Sequence, residues 1–373
     1  MGAGAQQAFL VPYLGRVNGW SSLHASYLIG ATYFAMMVGR VAHIYLLPGW
    51  SDRRLIIVGS LTYLIFTLAI FTVAHVDSYL VALSSALLWG MGGAMMWAGT
   101  AMQTLVIADE AKGRQYGTSM GILYAAANAG WLAGVIVLGN LYERLPPSDL
   151  PLLYLAASGL TLLGVVQAMR LPATTRSGAA PSEARVLAIA VQPRLLVPGL
   201  LLLAASLSFG LILGAFGTFV NEVYGARWVW VSVSLYPAVR TVLSFVGGYL
   251  MDRAGQVPVL VGSFLGGAAG LLVTVLWSHP LGVVFGATML GLVSSTVPVV
   301  TGAMIGSTDI RQRPLEFGIV FTWRDLGVII AAVGANAIGL TFDLHAAFLF
   351  FACVFLLCGL LSLYLRKTLT ERG

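Results

Sequence analysis

Three guanidinium groups fall where a chain this apolar should carry no charge: Arg40, Arg240 and Arg324 each interrupt a long hydrophobic run. An arginine stays protonated, and its planar fork matches the paired oxygens of carboxylate, phosphate or nitrate. Asp325 is the acid that shares their depth, so three positive charges face one negative, and an anionic guest would correct the imbalance. Tyr236 lies one turn before Arg240, and Trp323 adjoins Arg324; either ring can wall a cavity or pack between helices. His43 follows Arg40 by three residues on the same helix face, where a side chain titrating near neutrality can carry a coupling proton. Asp325 can serve the same purpose. Adjacent residues on a helix diverge by about 100°, so Arg324 and Asp325 are expected to pair poorly, and Asp325 to neutralise Arg240 or Arg40 from across a cavity. The competing reading of the arginines is structural: hydrogen bonds to backbone carbonyls at a kink, or pairing with Asp325.

Other chemistry is missing from the sequence. It contains no HExxH, no phosphate-binding glycine loop with lysine and no histidine–cysteine cluster. His24, His43, His75, His279 and His345 are scattered over separate runs or loops. The two cysteines, Cys353 and Cys358, are five residues apart on a helix and point in different directions, so neither a disulfide nor a metal is expected. No cofactor is implied and no catalytic site is visible, which argues against an enzyme. A net charge of +6 could suggest nucleic acid, but the basic residues are distributed by membrane side, and no nucleic-acid partner is expected.

The elements that must hold these residues are transmembrane helices. With 58% hydrophobic residues, 9% charged residues and a mean hydropathy of +0.89, the chain cannot solvate a globular surface, for which about 25% charge is usual. The runs are about 20 residues long, enough to cross a hydrocarbon core of about 30 Å as a helix, and lipid offers open backbone groups no other partners. The alternating segments of an outer-membrane barrel are absent. Spans are expected as a fragment ending near Tyr13, then at 25–48, 55–75, 79–106, 116–141 and 151–169, and again at 195–221, 229–250, 257–277, 280–305, 315–340 and 344–365. Glycines at four-residue spacing, Gly130 and Gly134 in one span and Gly262, Gly266 and Gly270 in another, are read as helix-packing positions. Between 170 and 194 lies the one polar linker.

Orientation follows from the bases. Arg53, Arg54, Lys112, Arg114, Arg170, Arg176, Arg185, Arg194, Arg253, Arg311, Arg313, Arg366, Lys367 and Arg372 fall on one side, and Arg16, Arg144 and Arg227 on the other. Fourteen against three makes the first side cytoplasmic. The linker and the C-terminus are then inside, in a bacterial-type inner membrane. Arg40 and Arg240 each precede a cytoplasmic aspartate by twelve residues, about 18 Å of helix at 1.5 Å per residue, and Arg324 lies roughly 15 Å into its span. An ionised group at that depth costs about 2.5–3.5 kcal/mol, so all three should face an interior cavity rather than lipid.

The two halves repeat. Arg40, Asp52-Arg53 and Val58-Gly59-Ser60 recur in order as Arg240, Asp252-Arg253 and Val261-Gly262-Ser263. Gly113-Arg114-Gln115-Tyr116-Gly117 leads into the fifth span as Leu315-Glu316-Phe317-Gly318 leads into the eleventh. Gly4, Phe9, Gly15 and Trp20 align with Gly214, Phe219, Gly225 and Trp230. The same alignment puts Met1 opposite Leu211, about sixteen residues into the seventh span, so the first helix is expected to be incomplete.

On these features the sequence resembles the major facilitator superfamily over nearly its whole length. Gly248-Tyr249-Leu250-Met251-Asp252-Arg253-Ala254-Gly255 is similar to that superfamily's loop signature between the second and third helices of a half. The first copy, Pro48-Gly49-Trp50-Ser51-Asp52-Arg53-Arg54, has proline in place of the leading glycine. The resemblance implies an all-α polytopic membrane protein of two pseudo-symmetric six-helix bundles, 1–169 and 195–373, joined by a cytoplasmic linker at 170–194. It also implies alternating access, with Gly248, Asp52, Arg53, Asp252 and Arg253 as a conformational latch whose acids pair with bases and cap neighbouring helices. The Arg40/Arg240 pair resembles that of nitrate/nitrite porters, and monocarboxylate porters carry an arginine in the eighth helix. The glycine- and asparagine-rich signature of nitrate porters is only echoed by Asn128-Ala129-Gly130. The expected function is secondary transport of a small anionic solute by a monomer, driven by a proton or other ion gradient or by exchange. The alternatives are an exporter of drugs or neutral solutes with structural arginines, or a scaffold or sensor that kept the fold.

Overall fold

A computed structural model describes residues 5–110, 115–172 and 192–364. Its described regular structure is helical: α1 Gln7–Asn18, α2 Ser22–Leu46, α3 Asp52–Val76, α4 Tyr79–Glu110, α5 Tyr116–Arg144, α6 Leu152–Ala168, α7 Pro193–Gly214, α8 Phe216–Tyr224, α9 Ala226–Ala254, α10 Gln256–Leu276, α11 Pro280–Gly306, α12 Arg313–Thr341 and α13 Leu344–Tyr364. Seven bases of the topology argument (Lys112, Arg114, Arg176, Arg185, Arg366, Lys367 and Arg372) and most of the 170–194 linker lie outside the described residues.

Helix boundaries follow local chemistry. Ser21 and Ser51 stand extended before α2 and α3, and their hydroxyls accept from the amides of His24 and Arg54. Proline opens α7 and α11, where a missing N–H costs nothing. Gly19, Gly225 and Gly255 take φ of 69°, 86° and 83° at the ends of α1, α8 and α9, a left-handed backbone that glycine adopts without strain. Two boundaries differ from the sequence reading. The first helix continues past Tyr13 to Asn18, and the span expected over 195–221 is divided between α7 and α8 at Ala215. That junction sits where α7 presses on α12: a Cβ on Gly214 would lie 2.6 Å from the carbonyl oxygen of Ala332.

By length and composition α3, α4, α5, α7, α10, α11, α12 and α13 suffice to cross a membrane, and α6 is a shorter apolar helix. With 25 and 29 residues, α2 and α9 are long enough as well, and each carries one of the interior arginines. This is a multi-pass membrane protein. The contacts divide the chain into two compact units, residues 1–100 with 129–180 and residues 101–128 with 181–373. In the first, α3 packs with α6, and α1 with α2. In the second, α7 lies along α12, α9 and α10 along α11, and α10 along α13. The glycine stripe of α10 is used unevenly. Gly266 and Gly270 meet Met289 of α11, whereas Gly262 faces nothing within 4 Å and Gly267, off the expected stripe, takes Val293.

Candidate functional site

In the second unit four helices bring their polar groups together. From α9, Tyr236 is fully buried and Arg240 is 6% exposed; from α12 comes Asp325 at 0%. Phe209 of α7 receives both bases. The guanidinium carbon of Arg240 lies over its ring, 5.2 Å from the centroid, and that of Arg324 lies 5.6 Å from it. Arg240 also sits 5.3 Å from the centroid of Tyr236, whose ring is stacked near-parallel to Phe209 at 6.4 Å and 12°. Cation–π contacts of this kind are worth about 0.5–2 kcal/mol, more where water is excluded.

Ser294 of α11 anchors this group twice. Its hydroxyl accepts from the Tyr236 hydroxyl at 2.7 Å, and its carbonyl oxygen accepts from Arg240 Nη2 at 3.4 Å. The carbonyl is available because of Pro298, four residues on in α11. A proline has no N–H with which to close the i→i−4 bond, so the oxygen at Ser294 looks for another donor. The structural reading of the arginines thus describes one contact of Arg240. It also describes Arg324, whose Nη1 meets Asp325 Oδ1 at 3.0 Å. This corrects the expectation that neighbouring residues on one helix pair poorly. Cα directions govern where short side chains meet, whereas an arginine stem is long enough to turn its head back. Trp323 is placed differently: its indole covers Gly199 of α7, where a Cβ would come within 2.4 Å of the ring.

The first unit holds the other arginine. Arg40 is 1% exposed in α2, and its Nη2 donates to Met36 Sδ at 3.4 Å. His43, 2% exposed, has Nδ1 at 2.8 Å from the carbonyl oxygen of Gly39. A carbonyl only accepts, so Nδ1 carries the hydrogen and Nε2 is the atom left to take a proton.

Both copies of the loop signature are held against neighbouring backbone. Asp252 accepts from the amide of Gly117 at 3.0 Å and from the amide and hydroxyl of Thr118, each at 2.7 Å, so it caps the N-terminus of α5. Gly248 makes that approach possible, since a Cβ there would lie 2.2 Å from the Gly117 carbonyl oxygen, and one on Gly121 would lie 2.8 Å from that of Ser244. Further along, Asn128 donates to Ser244 at 3.3 Å. Arg253 lies over Tyr249, 4.6 Å from its centroid. In the first copy Asp52 is 4% exposed at the first position of α3, and Arg53 donates to the carbonyl oxygen of Met169.

Beside the α5 cap is a network the sequence reading did not anticipate. Arg313, at the start of α12, donates to both carboxylate oxygens of Asp109 and, at 3.2 Å, to the Tyr116 hydroxyl, which itself donates to Asp109 at 2.5 Å. Arg194 Nη2 lies 2.9 Å from the fully buried Glu316. In the sequence Arg313 and Arg194 read as topology charges only; the acids at span ends, Asp109 and Glu316, were the signal that they have partners. Nothing comparable marks Phe209 among the other phenylalanines.

A family model described as Major Facilitator Superfamily matches residues 1–239 and 226–372. The tetracycline resistance protein, class H, of Pasteurella multocida is 27% identical over 172 residues, 44% of this chain and 42% of that protein. The proton-coupled antiporter flippase LtaA of Staphylococcus saprophyticus is 30% identical over 144 residues, 38% of this chain and 35% of that protein. The chain thus spans about two fifths of the length of the curated relatives it matches. Among solved structures, the E. coli fucose:proton symporter FucP superposes with a TM-score of 0.72 at 14% identity, over 97% of this chain and 95% of that one. The proton:xylose symporter XylE gives 0.77 at 11%, over 99% and 92%. The human organic anion transporter TETRAN gives 0.67 at 15%, over 96% and 89%. At these identities the likeness is one of fold.

Proposed function

The chain belongs to the Major Facilitator Superfamily, and from that premise we propose that it is a secondary transporter of a small anionic solute, working by alternating access. The observation that carries this reading is the pair of guanidiniums on Phe209 with one carboxylate in contact: Arg240, Arg324 and Asp325 sum to one positive charge in an apolar bundle. A low-dielectric site with a net charge favours a guest of the opposite sign. Arg40 is the first half's contribution to charge, with His43 beside it on the same helix face. Tyr236 walls the site, and Trp323 supports it through the α7–α12 contact.

Coupling follows from the Arg324–Asp325 pair. A solute anion that takes the Arg324 fork weakens its pair with Asp325, and a buried carboxylate that loses part of its positive surroundings is relieved by taking a proton from the side that is open. Anion and proton then cross together, with no net charge moved. The bundles 1–169 and 195–373, joined by the linker, are the moving bodies of a monomer in the inner membrane with its C-terminus in the cytoplasm. The Asp252 cap on α5 and the Asp109–Arg313 bond are the contacts that part when the cytoplasmic side opens.

A second reading is export. It is favoured by the relatives, one named a tetracycline resistance protein and the other an antiporter flippase; in it the arginines are structural. Proteoliposome uptake separates the two. With an inward proton gradient, saturable accumulation of a labelled anion that disappears in Arg240→Gln and in Arg324→Gln supports the anion site. If no anion moves or stabilises the purified protein, and Arg40→Ala with Arg240→Ala leaves transport of another solute unchanged, export stands instead.

A further inference from the structure

Phe209 has no polar atom, yet Arg240 and Arg324, two arginines of the second unit, converge on it. Arg240 comes to it from α9 and Arg324 from α12, at 5.2 and 5.6 Å from one centroid, on a ring that is 7% exposed. A guanidinium has two kinds of surface. Its N–H donors lie in the plane, and its faces are poor acceptors that stack well on aromatic rings. The Ser294 carbonyl and the Asp325 carboxylate each occupy a donor of these arginines. A contact to the ring attracts the cation through the π face and positions the fork without a carbonyl or carboxylate partner. It also compensates part of the repulsion between two like charges brought to one place.

We infer that Phe209 is the positioning residue of the anion site, and that the forks it holds select a planar oxyanion of the carboxylate or nitrate type over a spherical anion. The inference rests on the anion reading above and adds to it both a residue and a geometry. A planar anion presents two coplanar oxygens to a fork whose orientation is already set; a halide gains nothing from that orientation. Truncating the ring should therefore harm planar oxyanions and leave halides where they were.

The test uses the full chain in proteoliposomes, with benzoate, nitrate and chloride as probes. Phe209→Leu should raise KM for benzoate and nitrate by about tenfold, the loss of one or two desolvated cation–π contacts. Vmax should stay within about twofold, as expected when binding rather than turnover is affected. The preference for the planar anions over chloride should narrow, and Phe209→Tyr should restore both quantities. Phe209→Met, close to phenylalanine in reach but without a π face, guards against a leucine variant that fails to fold. Wild-type KM and selectivity in the leucine and methionine variants would overturn the inference, as would Phe209→Tyr behaving like Phe209→Leu, since volume alone would then matter. Arg240→Gln keeps the two claims apart. If it abolishes uptake while Phe209→Leu does nothing, the anion site stands and its positioning residue does not. If wild-type protein neither takes up nor is stabilised by benzoate or nitrate, the anion reading fails and the inference falls with it.

Discussion

Arg40 and Arg240 hold the same place in a duplicated pattern, twelve residues ahead of Asp52 and Asp252, and each meets its own set of side chains. Arg40 meets a thioether one turn back, and the titratable neighbour on its face is His43. Arg240 meets two aromatic rings, a carbonyl released by a proline and, through Phe209, a second arginine that is paired to an acid. The repeat sets where each charge lies along its helix, and the facing helices set what it meets. The anion reading puts recognition and coupling at the Phe209 cluster of the second half, so variants of matching positions should not have matching effects.

The largest difference is expected at the ion pair. Arg324→Gln removes an ion-pair partner of Asp325, which is fully buried, and removing one partner of a buried pair costs about 3–5 kcal/mol. Uptake should vanish and the thermal midpoint should fall. Adding Asp325→Asn to that variant should recover much of the stability but none of the transport. Asp325→Asn alone should behave differently again, keeping anion exchange and losing accumulation driven by a proton gradient. If that variant still concentrates the anion, coupling lies elsewhere.

A smaller contrast concerns the two loop copies. Asp252 holds three hydrogen bonds on α5, and loss of such a cap is worth about 0.5–2 kcal/mol, so Asp252→Ala should shift the conformational balance by about twofold to thirtyfold. The readout is labelling by a membrane-impermeant maleimide from the cytoplasmic side at Met120→Cys, a fully buried position packed on Gly302, in a chain lacking Cys353 and Cys358. Labelling should rise in Asp252→Ala, and further when Arg313→Ala also removes the bond to Asp109. Unchanged labelling in both variants would show that these contacts do not latch the closed side.

The sequence made some of this legible for identifiable reasons. Helix positions follow from hydropathy and periodicity, which is why Arg40 and Arg240 could be put inside helices from the sequence. Asp252 could be nominated because its signature is local in the chain. The Arg324–Asp325 pair was read only as the competing alternative, because helix geometry constrains backbones more tightly than it constrains long side chains. Phe209 and Ser294 were missed for a different reason: their role depends on which helices adjoin, and no spacing along one helix encodes that. Pro298 was a partial clue, since a proline inside a span frees the carbonyl four residues earlier, but the donor that answers it comes from another helix. The α7–α8 division is likewise tertiary, occurring where Gly214 lies on Ala332.

The smallest effect should come from His43, and it tests the comparison most sharply because it sits in the half argued to be less important. His43→Gln keeps an N–H that can reach the Gly39 carbonyl, which Nδ1 now serves at 2.8 Å, so the local backbone contact can persist. What the substitution removes is Nε2, the one ring atom able to accept a proton. With coupling at Asp325, the pH profile of uptake should be unchanged and the rate should fall by no more than about threefold, in line with the net worth of a perturbed neutral hydrogen bond, about 0.5–1 kcal/mol. A displaced pH profile, or exchange that persists while gradient-driven accumulation is lost, would move the coupling proton into the first half and make Arg40 and His43 the working pair.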